Sequence, residues 1–326
     1  MKILDSIKKE VSLLSEKPTI VYAEGWNKTI QEAAIEVSKE GLVKPLLIFR
    51  TNEELNQFNN SENVQTLVVE STDLSEYADL LFELRKAKGM TKEEADKLVK
   101  QPNYLATLLI KNKTNWGVVC GIEYTTKDTL RAALQVIKPR KGVKIVSSSM
   151  ILEREDRTIF MSDIGLTINP NAEELAAIVD NTIDFVVNRL GLVNNNVAML
   201  SYSTNGSGAG ESVDKVKNAY NFYKENYPQN PQANVYGEIQ FDAAFSADVR
   251  KRKCPDNTWK GDANVFIVPN LDAGNIGYKM LQRLGGFEAT GPIILGLDKP
   301  VNDLSRGAGL YEVVSLSYVT ALQTKN

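Results

Sequence analysis

Thr19-Ile20-Val21-Tyr22-Ala23 is a short β-rich run, and the segment after it, from about Thr29 to Glu40, repeats apolar residues at helical spacing (Ile30, Ala33, Ala34, Val37) before stopping at Gly41. A strand feeding an amphipathic helix is the unit of a parallel sheet, because parallel neighbours need a crossover long enough to hold a helix. The pattern recurs outward from this start. β-rich runs at 46–49, 66–69, 117–120, 143–146, 158–161, 197–200, 265–268 and 293–295 alternate with helical segments, which predicts an α/β protein with mainly parallel sheets. The clearest helix opens at Asn171 with Glu174 three positions on, a capping box. It carries Leu175, Val179, Ile183, Val186 and Leu190 to a stop at Gly191.

A chain of 326 residues exceeds what one hydrophobic core usually fills, and 43% hydrophobic with 24% charged residues is ordinary globular composition. Two lobes are therefore expected. Lys138-Pro139-Arg140-Lys141-Gly142 and Thr290-Gly291-Pro292 are the candidate hinges, giving a discontinuous first lobe of residues 1–141 plus 292–326 and a second of 142–291. The net charge of −3 points to no nucleic acid partner. The sequence has no 18-residue apolar run, and its first ten residues read as an amphipathic helix start, so the expectation is a cytoplasmic protein with no membrane partner.

Cys120 and Cys254 lie far apart and outside any Cys-x-x-Cys pattern, so neither a disulfide framework nor a zinc site is predicted. The chain has no histidine at all, which removes Ser-His-Asp, Cys-His and His-Glu-x-x-His chemistry together. Proton transfer is left to Asp, Glu, Lys, Tyr or substrate. Cys120, with nothing to activate it, reads as a buried inert thiol.

Four segments at strand ends are candidates for chemistry. Ser201-Tyr202-Ser203-Thr204-Asn205-Gly206-Ser207-Gly208-Ala209-Gly210 precedes a helix; it is either a cradle of backbone amides for an anion or a bare tight turn. It fits neither a P-loop nor Gly-x-Gly-x-x-Gly. Asp272-Ala273-Gly274-Asn275-Ile276-Gly277-Tyr278-Lys279 is either a ligand loop or a glycine-assisted packing corner. Gly121-Ile122-Glu123-Tyr124-Thr125-Thr126-Lys127-Asp128-Thr129-Leu130-Arg131 offers three threonine hydroxyls, helix amides and an arginine, which suit a phosphate; the alternative is that Thr126 or Asp128 only caps the helix. In Asn302-Asp303-Leu304-Ser305-Arg306-Gly307 a hydroxyl and a fixed-charge fork stand side by side, able to meet phosphate or developing carbonyl charge, or merely to salt-bridge on a loop. Arg85, at a basic helix end, either complements the helix dipole or captures a phosphate.

Taken with Glu238-Ile239-Gln240-Phe241-Asp242-Ala243-Ala244, Ala263-Asn264-Val265-Phe266-Ile267-Val268-Pro269, Gln282-Arg283-Leu284-Gly285-Gly286, Gly291-Pro292-Ile293 and Lys299-Pro300-Val301, these segments resemble the phosphate acetyltransferase (phosphotransacetylase) family in its short, single-module form, over nearly the whole chain. The resemblance implies two α/β/α lobes like those of isocitrate and isopropylmalate dehydrogenases, a site in the cleft between them and a homodimer. It implies reversible acetyl transfer between coenzyme A and inorganic phosphate by direct thiol attack on acetyl phosphate in a ternary complex. Coenzyme A and acetyl-CoA enter as substrates, and no metal or redox cofactor is implied.

Carried over residue by residue, the resemblance gives Ser305 and Arg306 the transition-state charge, and Arg85, Thr125, Thr126, Thr129, Arg131, Asn302 and Asp303 contacts to the acyl phosphate and coenzyme A phosphates. The family's thiol-deprotonating aspartate matches Glu312, a departure that keeps the chemistry and adds a methylene. Trp26-Asn27-Lys28, Asn205 and Ala308-Gly309 also depart from the family pattern. Two other readings share the fold: phosphate butyryltransferase, whose pocket holds a longer chain, and a catalytically silent acetyl-CoA-sensing domain. A nicotinamide dehydrogenase is disfavoured, since no dinucleotide fingerprint follows any strand.

Overall fold

The computed structural model describes residues 2–62, 64–155 and 157–325. The chain divides into two compact units, one of Ile3–Lys141 with Leu297–Asn326 and one built on Gly142–Gly296.

The first unit holds a sheet of β1 (Thr19–Tyr22), β2 (Lys44–Phe49), β3 (Gln65–Val68), β4 (Trp116–Cys120) and, from the returning C-terminal segment, a strand at Val301–Asp303. Its order places that late strand at one edge beside β4, then β1, β2 and β3, all parallel. The crossover after β1 is the helix Lys28–Glu40, whose Ile30, Ala33, Ala34 and Val37 are fully buried and whose end is closed by Gly41 in a left-handed conformation. β1 and nearly all of β2 are buried, as strands covered on both faces must be. The C-terminal helix Leu310–Gln323 is apolar on nearly every side because it runs inside this unit, where Tyr22 donates to Ser317 at 2.7 Å.

The second unit holds β5 (Ser147–Arg154), β6 (Arg157–Ser162), β7 (Asn195–Leu200), β8 (Ala233–Ile239), β9 (Val265–Ile267) and β10 (Glu288–Leu295), which makes the edge strand of the first unit β11. The order β10-β5-β6-β9-β7-β8 is antiparallel at its β10, β5 and β6 end and parallel elsewhere.

Two expectations shift and one open alternative closes. The run 143–146 is not a strand; β5 begins at Ser147, and Ser147, Ser148 and Ser149 are buried, which a pattern of apolar residues cannot reveal. Thr290-Gly291-Pro292 is no hinge: it lies inside β10, where the pairing with β5 shifts register, so the chain stays in the second unit through Gly296. The segment 272–279, open between a ligand loop and a packing corner, lies in a helix that begins at Leu271, capped by the Asn270 side chain on Ala273 N–H. Gly274 falls within its first turn, where a Cβ would collide with the Asp163 carbonyl, so this segment is the packing corner. No helix among the described residues is long and apolar enough to cross a membrane.

Candidate active site

β4 and β11 run side by side in the first unit and end together, with Asp303 level with Cys120 and the Leu304 N–H donating to the Cys120 carbonyl at 2.7 Å. Two loops leave these strand ends, where ligands of parallel α/β sheets collect. Of the predicted site residues, Asn302 and Asp303 lie on β11 itself, Arg85 lies on another helix, and the rest stand on one of these loops or on the helix it enters.

The loop after β11 is a tight turn. Leu304 and Ala308 are buried and anchor it, the Ala308 N–H donates to the Ser305 carbonyl at 2.9 Å, and Ser305, Arg306 and Gly307 between them are exposed. Gly309 then opens the helix Leu310–Gln323, and the half-buried Glu312 accepts from the Gly309 N–H at 2.8 Å. Ser305, Arg306 and Glu312 thus lie within two short turns of chain, the hydroxyl and guanidinium facing solvent and the carboxylate at a helix N-terminus.

The loop after β4 is organised by a residue the sequence reading passed over. Glu24, fully buried just beyond β1, accepts from the N–H groups of Gly121 (3.0 Å), Ile122 (3.3 Å), Glu123 (2.8 Å) and Tyr124 (2.9 Å). Burial pushes its carboxyl up, and those four donors oppose the push. The loop amides ahead of the helix are therefore spent on an internal carboxylate. The helix starts at Thr126, and Thr125 is its N-cap, accepting from the Asp128 N–H at 3.2 Å, which corrects the expected cap at Thr126 or Asp128. Thr125, Thr126 and Arg131 remain exposed, Arg131 paired with Asp128 at 3.2 Å. Arg85 ends the neighbouring helix Ser75–Arg85 with its Nε buried and unpartnered, and both arginines act on the hydroxyl of Tyr104. Arg85 and Arg131 thus both lie near Tyr104.

Three predicted substrate contacts lie in the interior instead. Asn302 is fully buried and donates to Thr320 at 2.8 Å and Gln323 at 2.6 Å, holding β11 to the last helix. Thr129 is buried against the Cys120 sulfur at 3.5 Å. Asp303, 1% exposed, accepts from the Thr126 hydroxyl at 2.6 Å. None of the three faces solvent, because β11 is covered by helices, and each is bonded to a neighbouring side chain instead. Cys120 is buried and its thiol pushed well up, the inert thiol expected.

The loop 201–210 of the second unit repeats the arrangement seen at Glu24. Glu238, buried in β8, accepts from the Ser203 hydroxyl at 2.7 Å and the Gly206 N–H at 2.9 Å, so the loop cradles its own carboxylate. Asp163, buried beyond β6, likewise accepts from the N–H groups of Gly165, Leu166 and Thr167. In each case the signal available was an acidic residue at the end of an apolar strand. Among the departures, Asn27 caps the helix Lys28–Glu40 and donates to Glu123 at 2.8 Å, while Trp26 packs under the Arg50 guanidinium.

Comparison with known proteins fits this geometry into a family. Residues 2–321 match the model of the phosphate acetyl/butaryl transferase family. The chain belongs to that family. It is 44% identical to a phosphate acetyltransferase of Mycoplasma pneumoniae over 324 residues, 99% of each chain, and 38% identical to one from Bacillus subtilis over 310 residues, 93% of this chain and 94% of that one. Its structure is similar to a phosphotransacetylase from Streptococcus pyogenes, with a TM-score of 0.88 at 35% identity, covering 99% of this chain and 98% of that one. A branched-chain phosphotransacylase from Enterococcus faecalis shares the fold, with a TM-score of 0.71 at 20% identity, covering 94% of this chain and 99% of that one.

Proposed function

We propose that this family member transfers an acetyl group reversibly between coenzyme A and inorganic phosphate, with Ser305 and Arg306 as the transition-state clamp. The observation that carries the reading is the exposed Ser305-Arg306 turn, anchored by buried Leu304 and Ala308 and set beside the exposed Thr125, Thr126 and Arg131 at the adjacent strand end. A guanidinium fork and a hydroxyl on a rigid turn meet the charge that builds on the carbonyl and phosphate oxygens. Arg85 and Arg131, with the threonine hydroxyls, hold the remaining phosphate oxygens of acetyl phosphate and coenzyme A.

In the thioester-forming direction the coenzyme A thiol gives its proton to the Glu312 carboxylate and the sulfur attacks the acetyl carbonyl carbon. The carbon–oxygen bond to phosphate then breaks, phosphate leaves with that electron pair, and the proton passes from Glu312 to phosphate or water. No metal or redox cofactor takes part. A solution homodimer is proposed on a second feature: Ile276, Met280 and Leu284, spaced four apart along the helix Leu271–Arg283 and its end, are 57%, 55% and 81% exposed, a stripe suited to a copy of itself.

The test is conversion of acetyl phosphate and coenzyme A to acetyl-CoA without added metal, with butyryl phosphate in parallel. Acetyl transfer is expected to exceed butyryl transfer, and Arg306→Ala to lower kcat by about 100- to 1000-fold; an Arg306→Ala enzyme at wild-type rate excludes the clamp.

A further inference from the structure

Asp303 and Glu24 are two buried carboxylates on opposite sides of one glycine. The Gly121 N–H donates to Glu24, and a Cβ on Gly121 would collide with Asp303 Oδ1 and, at 2.7 Å, with the Leu304 nitrogen. Asp303 Oδ2 takes the Thr126 hydroxyl, while Oδ1 is buried and has no hydrogen-bond partner. A carboxylate with a dry, unpartnered oxygen is strongly disfavoured, and a carboxylic acid much less so. Glu24, by contrast, is surrounded by four N–H donors that favour its charged form against burial.

Residue 303 also sits where the two site loops meet. It is the last residue of β11, two before Ser305, and its partner Thr126 is the first residue of the helix entered from the β4 loop. The groups around it are Glu24 from beyond β1, Cys120 from β4, and Thr126 and Thr129 from the helix; the helix Leu310–Gln323 presents Thr320 and Gln323, which do not titrate, to the adjoining Asn302.

We propose that Asp303 is a positioning residue: as a neutral carboxylic acid it latches the Ser305-Arg306 turn to the N-terminus of the helix Thr126–Val136, and its ionisation beside Glu24 releases that latch. Burial, reinforced by Glu24 and opposed by Thr126 and Thr129, pushes the Asp303 carboxyl up to about 7, so the change falls in the neutral range. The significance for catalysis rests on the clamp reading of Ser305 and Arg306, but the latch itself is measured without turnover.

Hydrogen exchange supplies that measurement, as protection factors of the Leu304 and Ala308 amides at pH 6 and pH 8 in the wild type, Asp303→Asn and Thr126→Val. The wild type is expected to lose protection about tenfold from pH 6 to pH 8, Asp303→Asn to keep it at both, and Thr126→Val to show the low value at both. The same proteins assayed for acetyl transfer are expected to show a ratio of Asp303→Asn to wild-type kcat/KM that rises several-fold over this range, carried by KM for acetyl phosphate. Equal pH dependence in wild type and Asp303→Asn, or unchanged Leu304 protection in Thr126→Val, overturns the latch. Absent acetyl transfer in the wild type with the exchange pattern intact overturns the function and leaves the latch standing.

Discussion

Gly121 carries more of the candidate site than its size suggests. Its φ of 115° lies where side chains strain the backbone, its N–H is held by Glu24, and a methyl group there would strike Asp303 and Leu304. Gly121→Ala is expected to cost about 2–4 kcal/mol through overpacking and strain together, and to abolish acetyl transfer because both loops must move; urea denaturation and the acetyl transfer assay check it. Glu312 shows the opposite economy, one side chain with two uses. It closes the Gly309 N–H and is proposed as the base, so Glu312→Gln is expected to keep the helix start while kcat falls at least about tenfold. Glu312→Asp retains more activity if the carboxylate is what matters; a fully active glutamine variant would remove the base assignment.

At the scale of the element, helix starts divide into those that only stabilise and those at the candidate site. Asn171 caps the helix Ala172–Ile183 reciprocally with Glu174, at 2.9 Å each way, far along the chain from the candidate site. Asn171→Ala is expected to cost about 1 kcal/mol and leave kcat unchanged. Thr125→Ala removes a cap of the same kind and should cost a similar amount, yet also raise KM for acetyl phosphate, since its hydroxyl stands at the proposed phosphate site. Thermal melts paired with steady-state kinetics separate the two. The helix Leu310–Gln323 is the one element whose character misleads locally. Its residues from Val313 to Leu322 are buried without an amphipathic stripe, because the chain returns to the first unit only to fill its interior.

For the whole molecule, the buried carboxylates set how stability responds to pH. Asp303 is raised from 3.8 to about 7 in the folded chain, so between these values the folded state holds a proton that the unfolded state has lost. Stability from this group is therefore full below about pH 4, falls as pH rises to about 7, and is flat above. Up to about 4 kcal/mol is involved, at about 1.4 kcal/mol per unit. Asp303→Asn removes the dependence, so its melting temperature is expected to match the wild type near pH 4 and exceed it by a widening margin to pH 7. Glu24 is raised as well and slopes the same way, which is why the difference between variant and wild type, not the wild-type curve alone, is the readout. The order of residues was enough for whatever depends on near neighbours: the strand–helix unit of 19–41, the Asn171 cap and the α/β class. The packed chain alone decided which polar groups are interior. Glu24 meets the amides of Gly121 to Tyr124 from 97 to 100 residues away, and Asp303 meets Thr126 from 177. Periodicity reports only which way neighbouring side chains point. Whether a carboxylate, an asparagine or three serines can be buried depends on partners that folding brings from elsewhere, because an unpaired polar group cannot stay inside.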